Sequence, residues 1–238
     1  MTHKNLLRWM TLIVTVYATI CMLHWPIGFT FFTQLSNLFA AGVAAFQLAL
    51  DGKCQGKAAR CLHTLKYMSA LSIFVTFLVF LTALSTVDPH GIVAAYLQDH
   101  GASLCMHLIN PALVVADFYL HDARTPYSRK HILYGLVPLG LYLLFVLAAG
   151  ALGLRWPREM GAPYPFLNYL APAGWFGFRP DTFSQTTFGI GVFYTILVML
   201  LLCMILSALQ WKLAALRYLS LCTDGSDDAN GGENQIGR

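Results

Sequence analysis

The sequence predicts an all-α, polytopic membrane protein, a bundle of six transmembrane helices with both termini in the cytoplasm. Three observations indicate this class. Hydrophobic residues make up 57% of the chain and charged residues 11%, whereas a soluble domain carries roughly 25% charged residues. Apolar runs of about 20 residues, the length that crosses a bilayer, recur along the chain. The basic residues are concentrated in alternate loops.

The same composition argues against several other classes of protein. The chain is too apolar for a disordered protein and has neither a collagen repeat nor heptads. Its six cysteines contain no CxxC pair, so they predict neither a disulfide framework nor a zinc site.

Six spans follow from the apolar runs. We expect the first to be a retained helix, because its apolar stretch is longer than a signal-peptide core and no convincing small-residue cleavage site follows Ala18. The sixth has an amphipathic continuation as far as Tyr218. The predicted spans are Leu6–His24, Phe29–Leu50, Tyr67–Val87, Ala102–Leu120, Leu133–Leu154 and Thr187–Leu209.

The distribution of basic residues predicts the orientation. Of the 15 lysines and arginines, 12 lie before or at the start of the first span, after the sixth, or in the loops after the second and fourth. The remaining three loops hold Arg155, Arg158 and Arg179. The positive-inside rule therefore places both termini in the cytoplasm.

The chain divides into a six-helix transmembrane domain, residues 1–222, and a polar, acidic, glycine-rich tail, residues 223–238, which we expect to be disordered. The longest segment between spans, Arg155 to Thr186, interleaves five prolines with aromatic residues. This pattern is typical either of a cap on the outer face or of a simple aromatic belt at the interface.

Polar residues at hydrocarbon depth mark the candidate site. Thr33 and Asn37 share one face of the second span, with Ser36 beside them. His107 and Asn110 share a face of the fourth span. Both spans start from the outer side, so Thr33 lies about 6 Å deep and His107 about 7.5 Å deep. Their depths therefore match.

Two further residues of the fourth span affect this site. Pro111 frees a backbone carbonyl near His107, which favours a kink there. Asp117 lies ten residues beyond the histidine, about 15 Å further in. We expect it to cap a helix or pair with Arg124, or to support the site indirectly.

The chemistry open to such a pair is nucleophilic catalysis. A threonine hydroxyl becomes reactive when a base takes its proton, and histidine is the usual base. Ser36, Asn37 or Asn110 would then donate hydrogen bonds to the oxyanion. The structural alternatives are a threonine bonded to its own helix and a histidine that links two helices. Haem needs two intramembrane histidines, so we expect no cofactor and no metal.

At these residues the chain resembles one family. Phe32-Thr33, Met106-His107 with Pro111 and Asp117, and Tyr164-Pro165-Phe166-Leu167 with Pro172 resemble the androgen-induced and androgen-dependent (ADTRP-like) six-transmembrane proteins, in particular their bacterial branch. The resemblance covers about residues 30–172. It implies an intramembrane threonine hydrolase with Thr33 and His107 as the essential pair, acting on fatty acid esters of hydroxy fatty acids.

The sequence therefore predicts an intramembrane lipid-ester hydrolase whose partner is a membrane lipid or fatty-acyl ester, with no nucleic acid. Tyr164 and Phe166 are expected to line the substrate site. If the source is bacterial, the location is the inner membrane. One alternative is a lipid- or small-molecule-binding protein of the same fold without catalysis. A transporter is the other, although the broken half-helices of inverted repeats are not evident.

Overall fold

The structure, a computed structural model, describes residues 3–50, 53, 55–85, 91–123, 125–184 and 186–233, with side chains through residue 223. The fold is all-helical, with 77% helix and no strand in the described residues. The helices are α1 His3–Cys21, α2 Phe32–Ala49, α3 Gly56–Leu84, α4 Ile92–Leu97, α5 Asp99–Asp122, α6 Lys130–Ala151 and α7 Val192–Glu233.

Four helices, α3, α5, α6 and α7, are long and apolar enough to cross a membrane. The chain is therefore an integral, multi-pass membrane protein. Each of the six predicted spans overlaps a helix, although α7, the helix of the sixth span, begins at Val192 and not at Thr187. Among the described residues, α1 and α2 are not in the group of helices long and apolar enough to cross a membrane. The reason is that both helices carry polar side chains, among them Arg8, Thr11, Thr15, Gln34 and Asn37.

These polar side chains face inward. All five are buried among the helices, with exposed fractions of 4% or less. The opposite face of α1 is apolar and exposed, and it includes Leu6, Trp9, Ile13, Val16 and Ile20. A helix that turns its apolar face outward and its polar face inward suits a lipid environment.

The third helix begins before the predicted third span. Residues 56–66 were expected to be a loop, because they are polar, but α3 already begins at Gly56. Alanine, leucine, arginine and lysine in this segment are good helix formers, and they extend the helix beyond its apolar part. The division at residue 222 and the disorder predicted for the tail stay predictions.

The segment between α6 and α7 folds over one end of the bundle. Tyr164, Phe166 and Leu167 are buried in the main hydrophobic core together with residues of α2, α3, α6 and α7. The indole nitrogen of Trp156 donates to the Thr30 hydroxyl at 2.8 Å, which fastens the segment to the α1–α2 connection. Its second half instead exposes Trp175, Phe176, Phe178 and Phe183. The first half is thus a packed cap.

Candidate functional site

A cavity of about 250 Å³ lies beneath this cap, where the α1–α2 connection meets α3, α4 and α5. Its wall includes Thr33 from the first turn of α2, His107 from α5 and Tyr164 from the cap. Gln34 and Phe80 also line it. The structure therefore places the two predicted catalytic residues, 74 positions apart in the chain, in the wall of one cavity.

Thr33 is held by Tyr164. Its backbone N–H, which has no partner within the first helical turn, donates to the tyrosine hydroxyl at 3.4 Å. The two hydroxyl groups are 3.5 Å apart, a long hydrogen bond. Burial raises the pKa of the Tyr164 hydroxyl, so this group stays protonated and can donate a hydrogen bond.

His107 lies in a π-helical turn, Cys105–Ile109, whose wider winding sends the Asn110 N–H to the Cys105 carbonyl. Pro111 follows at once and has no N–H to give to the His107 carbonyl. Such π-helical turns are frequent at functional sites. The imidazole stacks on Phe80, with ring centroids 3.8 Å apart and planes 13° apart, which fixes the orientation of the ring.

The histidine is buried without an orienting acceptor. Its side chain is 8% exposed, and its Nδ1 atom has no hydrogen-bond partner among the described residues. Within the same residues, no hydrogen bond joins His107 to Thr33. A water or a substrate group would therefore have to connect the two side chains.

Three residues expected to donate to an oxyanion are placed differently. The Asn37 amide donates to the Thr33 carbonyl at 2.8 Å and to the Met106 carbonyl at 3.2 Å. The Asn110 amide donates to the Asn37 side-chain oxygen at 2.6 Å. Ser36 donates to the Thr33 carbonyl at 3.0 Å. Because these donors are already engaged, the three side chains join α2 to its neighbours and do not face the cavity.

Sequence reasoning missed most of the cavity wall, including Gln34 and Phe80. Gln34 is 2% exposed, its amide donates to Thr19, and its Oε1 has no partner among the described residues. Its position next to the candidate nucleophile, Thr33, is the sequence signal that could have identified it. Phe80 carried no signal, because its role depends on stacking with a residue of another helix. Of the predicted lining residues, Tyr164 lines the cavity, whereas Phe166 stacks behind it at 5.1 Å.

Asp117 belongs to a buried ion cluster away from this cavity. Its Oδ2 lies 2.5 Å from Lys66 Nζ and 3.3 Å from Arg8 Nε, and its Oδ1 lies 3.0 Å from His121 Nδ1. Asp122 completes the cluster, 3.4 Å from Arg8. None of these contacts leads to His107, so they do not support an indirect role of Asp117 at the site. Arg124, the other predicted partner of Asp117, lies outside the described residues.

No group of three or more histidine, cysteine, aspartate or glutamate side chains that could hold a metal occurs within the described ranges. The cavity offers hydroxyl, imidazole and amide groups and the Asp99 carboxylate in a largely apolar wall. Such groups are suited to acyl transfer or to the binding of a lipid with a polar head.

No family model, curated protein or solved structure matches this chain. The resemblance to the androgen-induced and androgen-dependent family therefore stays a prediction that depends on the short motifs.

Proposed function

We propose that the protein is an intramembrane lipid-ester hydrolase with Thr33 as nucleophile and His107 as general base. The observation that carries the proposal is that both side chains line one cavity beneath an apolar cap, inside a membrane protein. The substrate class is a fatty-acyl ester, and fatty acid esters of hydroxy fatty acids are the members that the sequence resemblance suggests.

The reaction divides into two half-reactions. The Thr33 hydroxyl oxygen attacks the ester carbonyl carbon, and its proton passes to His107, directly or through one water. The Tyr164 hydroxyl, 3.5 Å from the threonine, donates a hydrogen bond to the oxyanion. The carbon–oxygen bond to the alcohol breaks, and the imidazolium protonates the leaving alkoxide. Water, deprotonated by His107, then hydrolyses the acyl-threonine and restores both side chains.

The proposed placement in the membrane has six spans and cytoplasmic termini. The apolar outer face of α1 and its buried polar face support a crossing by α1. The cavity would then open in the outer leaflet, where a lipid ester reaches it laterally between helices. For a bacterial source this membrane is the inner membrane.

Hydrolysis by purified protein in nanodiscs tests the proposal. With a long-chain 4-nitrophenyl ester, Thr33→Val should reduce turnover below detection, because it keeps the side-chain shape and removes the hydroxyl. Thr33→Ser should retain part of it. His107→Ala should lower kcat by about 10²–10⁴-fold. The double variant should lose little more than the worse single variant, as for residues that act as a unit.

A fluorophosphonate probe gives a second readout. It should label wild-type protein and leave Thr33→Val unlabelled, while thermal melting shows that the variant is folded. Normal turnover by a folded Thr33→Val protein would eliminate the nucleophile.

The second candidate is a lipid-binding protein without catalysis. It is favoured by the contact of the Thr33 hydroxyl with Tyr164 and by the absence of any described acceptor for the His107 Nδ1 atom. Saturable binding of an ester that is never hydrolysed would establish this function.

A further inference from the structure

A small second cavity lies next to the main one, between it and an apolar groove on the side of the bundle. It shares Thr33 and Tyr164 with the main cavity, so the threonine lies between the two. Its remaining wall is largely apolar, with Val75, Val79 and Leu139 among its residues. The ester carbonyl at Thr33 therefore has an apolar space on one side.

Beyond this space lies an apolar groove of about 430 Å³ between α2, α3 and α6. The groove and the small cavity share two residues, Phe32 and Tyr142. The rings of these two residues are 5.1 Å apart and tilted by 55°, and both side chains are buried. This ring pair is the wall that separates the groove from the space beside Thr33. The groove is lined by Phe32, Leu35, Ser36, Phe39, Leu65, Met68, Ser72, Pro138, Leu141, Tyr142 and Phe145.

The chemistry of the groove fits a hydrocarbon chain. Its two serines are satisfied internally, Ser36 by the Thr33 carbonyl at 3.0 Å and Ser72 by the Met68 carbonyl at 2.8 Å. They therefore do not require a polar ligand. Leu141 and Phe145 are 63% and 44% exposed, so the groove opens sideways, toward the surface that a transmembrane helix turns to lipid.

The direction of the groove also fits. It follows α2 from Phe32 to Phe39, a rise of about 10 Å along the helix axis. If α2 spans the bilayer, a hydrocarbon chain in the groove runs roughly parallel to the neighbouring lipid chains. The end of that chain near Phe32 lies at the ring pair and close to Thr33.

We propose that this groove holds the acyl chain of the lipid ester and that the Phe32–Tyr142 ring pair determines which chains reach Thr33. The predicted effect on the rate of hydrolysis rests on the proposed hydrolase function. The predicted binding of an acyl chain in the groove does not. Phe32 and Tyr142 are specificity-determining residues, since they touch the chain and not the reacting atoms.

A second apolar groove of about 220 Å³, lined by residues of α3, the cap and α7, provides the matched control. It too adjoins the small cavity, sharing Val79, Phe166 and Met199, but it does not touch the ring pair. Its Val198 is 64% exposed. Met68→Trp fills the first groove, and Val198→Trp places the same side chain in the second.

The kinetic test compares 4-nitrophenyl palmitate with 4-nitrophenyl butyrate. In Met68→Trp, we expect kcat/KM for the palmitate to fall at least about 10-fold relative to the butyrate, whereas Val198→Trp should keep the wild-type ratio. Phe32→Ala should widen the passage and raise the relative rate of a branched-chain ester. Equal losses for both chain lengths in Met68→Trp would overturn the assignment of the groove.

The binding test does not depend on catalysis. Thr33→Val protein in nanodiscs is photo-crosslinked with a palmitate ester that carries a diazirine near the chain end, and the labelled peptides are mapped. Labels on the α2 and α6 walls, lost in Met68→Trp, support the groove. Equal labelling of both grooves would mean that the probe reacts from the bulk lipid without specific binding, and this would refute the proposal. Groove labelling by a protein that hydrolyses no ester would refute the hydrolase and leave the groove proposal standing.

Discussion

Removing Lys66 tests how the buried ion cluster joins the helices. Lys66 from α3 lies 2.5 Å from Asp117 and 3.7 Å from Asp122, and its side chain is 4% exposed. Lys66→Met removes one cation and leaves Arg8 beside the two carboxylates. Breaking a buried ion pair by removal of one partner costs about 3–5 kcal/mol, because a charge stays buried without compensation.

We expect this loss to appear in the thermal unfolding of purified protein in detergent, followed by intrinsic fluorescence. A stability change of this size corresponds to a melting temperature lower by about 6–20 °C for a chain of this length. Adding Asp117→Asn to Lys66→Met leaves Arg8 beside Asp122, 3.4 Å apart in the wild type. The double variant should therefore recover more than half of the lost stability.

An exposed ion pair is the control for this experiment. Arg179 and Asp181 are 3.4 Å apart, with side chains 57% and 65% exposed. Such a pair contributes little, so Arg179→Met should melt with the wild type. If Lys66→Met also melts with the wild type, or if the double variant is less stable than the single one, the cluster is not a charge-compensated link between helices.

Three further predictions concern topology, the tail and the cap. Alkaline phosphatase fused after Gly56 should be inactive and after Gly91 active, and the opposite pattern would reverse the proposed orientation. Truncation after Cys222 should leave membrane insertion and any hydrolysis unchanged, and a loss of either would give the tail a role. Tyr164→Phe should lower kcat by about 10²-fold if its hydroxyl serves the oxyanion. Phe166→Ala should change KM more than kcat, and unaltered kinetics in both cap variants would make the cap merely structural.

The amino-acid sequence by itself determined the class of protein. Apolar runs of bilayer length and scarce charge need no tertiary information to indicate a helical membrane protein, because the bilayer dictates both. The same reasoning located Thr33 and His107, since a polar residue at hydrocarbon depth is costly wherever its partners lie. It also predicted similar depths for the two side chains, and in the structure both line one cavity.

Tertiary structure decided which groups actually meet. The contact of Thr33 with Tyr164 spans 131 positions, and the one between Lys66 and Asp117 spans 51. Helical periodicity fixes which residues share a face, but not the rotation of one helix against another. For that reason Asn37 and Asn110 were expected to serve an oxyanion, although they hydrogen-bond to each other at 2.6 Å.

There is a physical reason why local sequence predicts membrane burial but not the contacts between helices. Burial in a membrane is a property of each segment and its solvent, so local composition specifies it. A hydrogen bond, a ring stack such as His107 on Phe80, or an apolar groove beside Phe32 requires two or more segments at defined distances and angles. Those distances depend on the packing of the whole bundle, which the sequence determines only through all of its helices together.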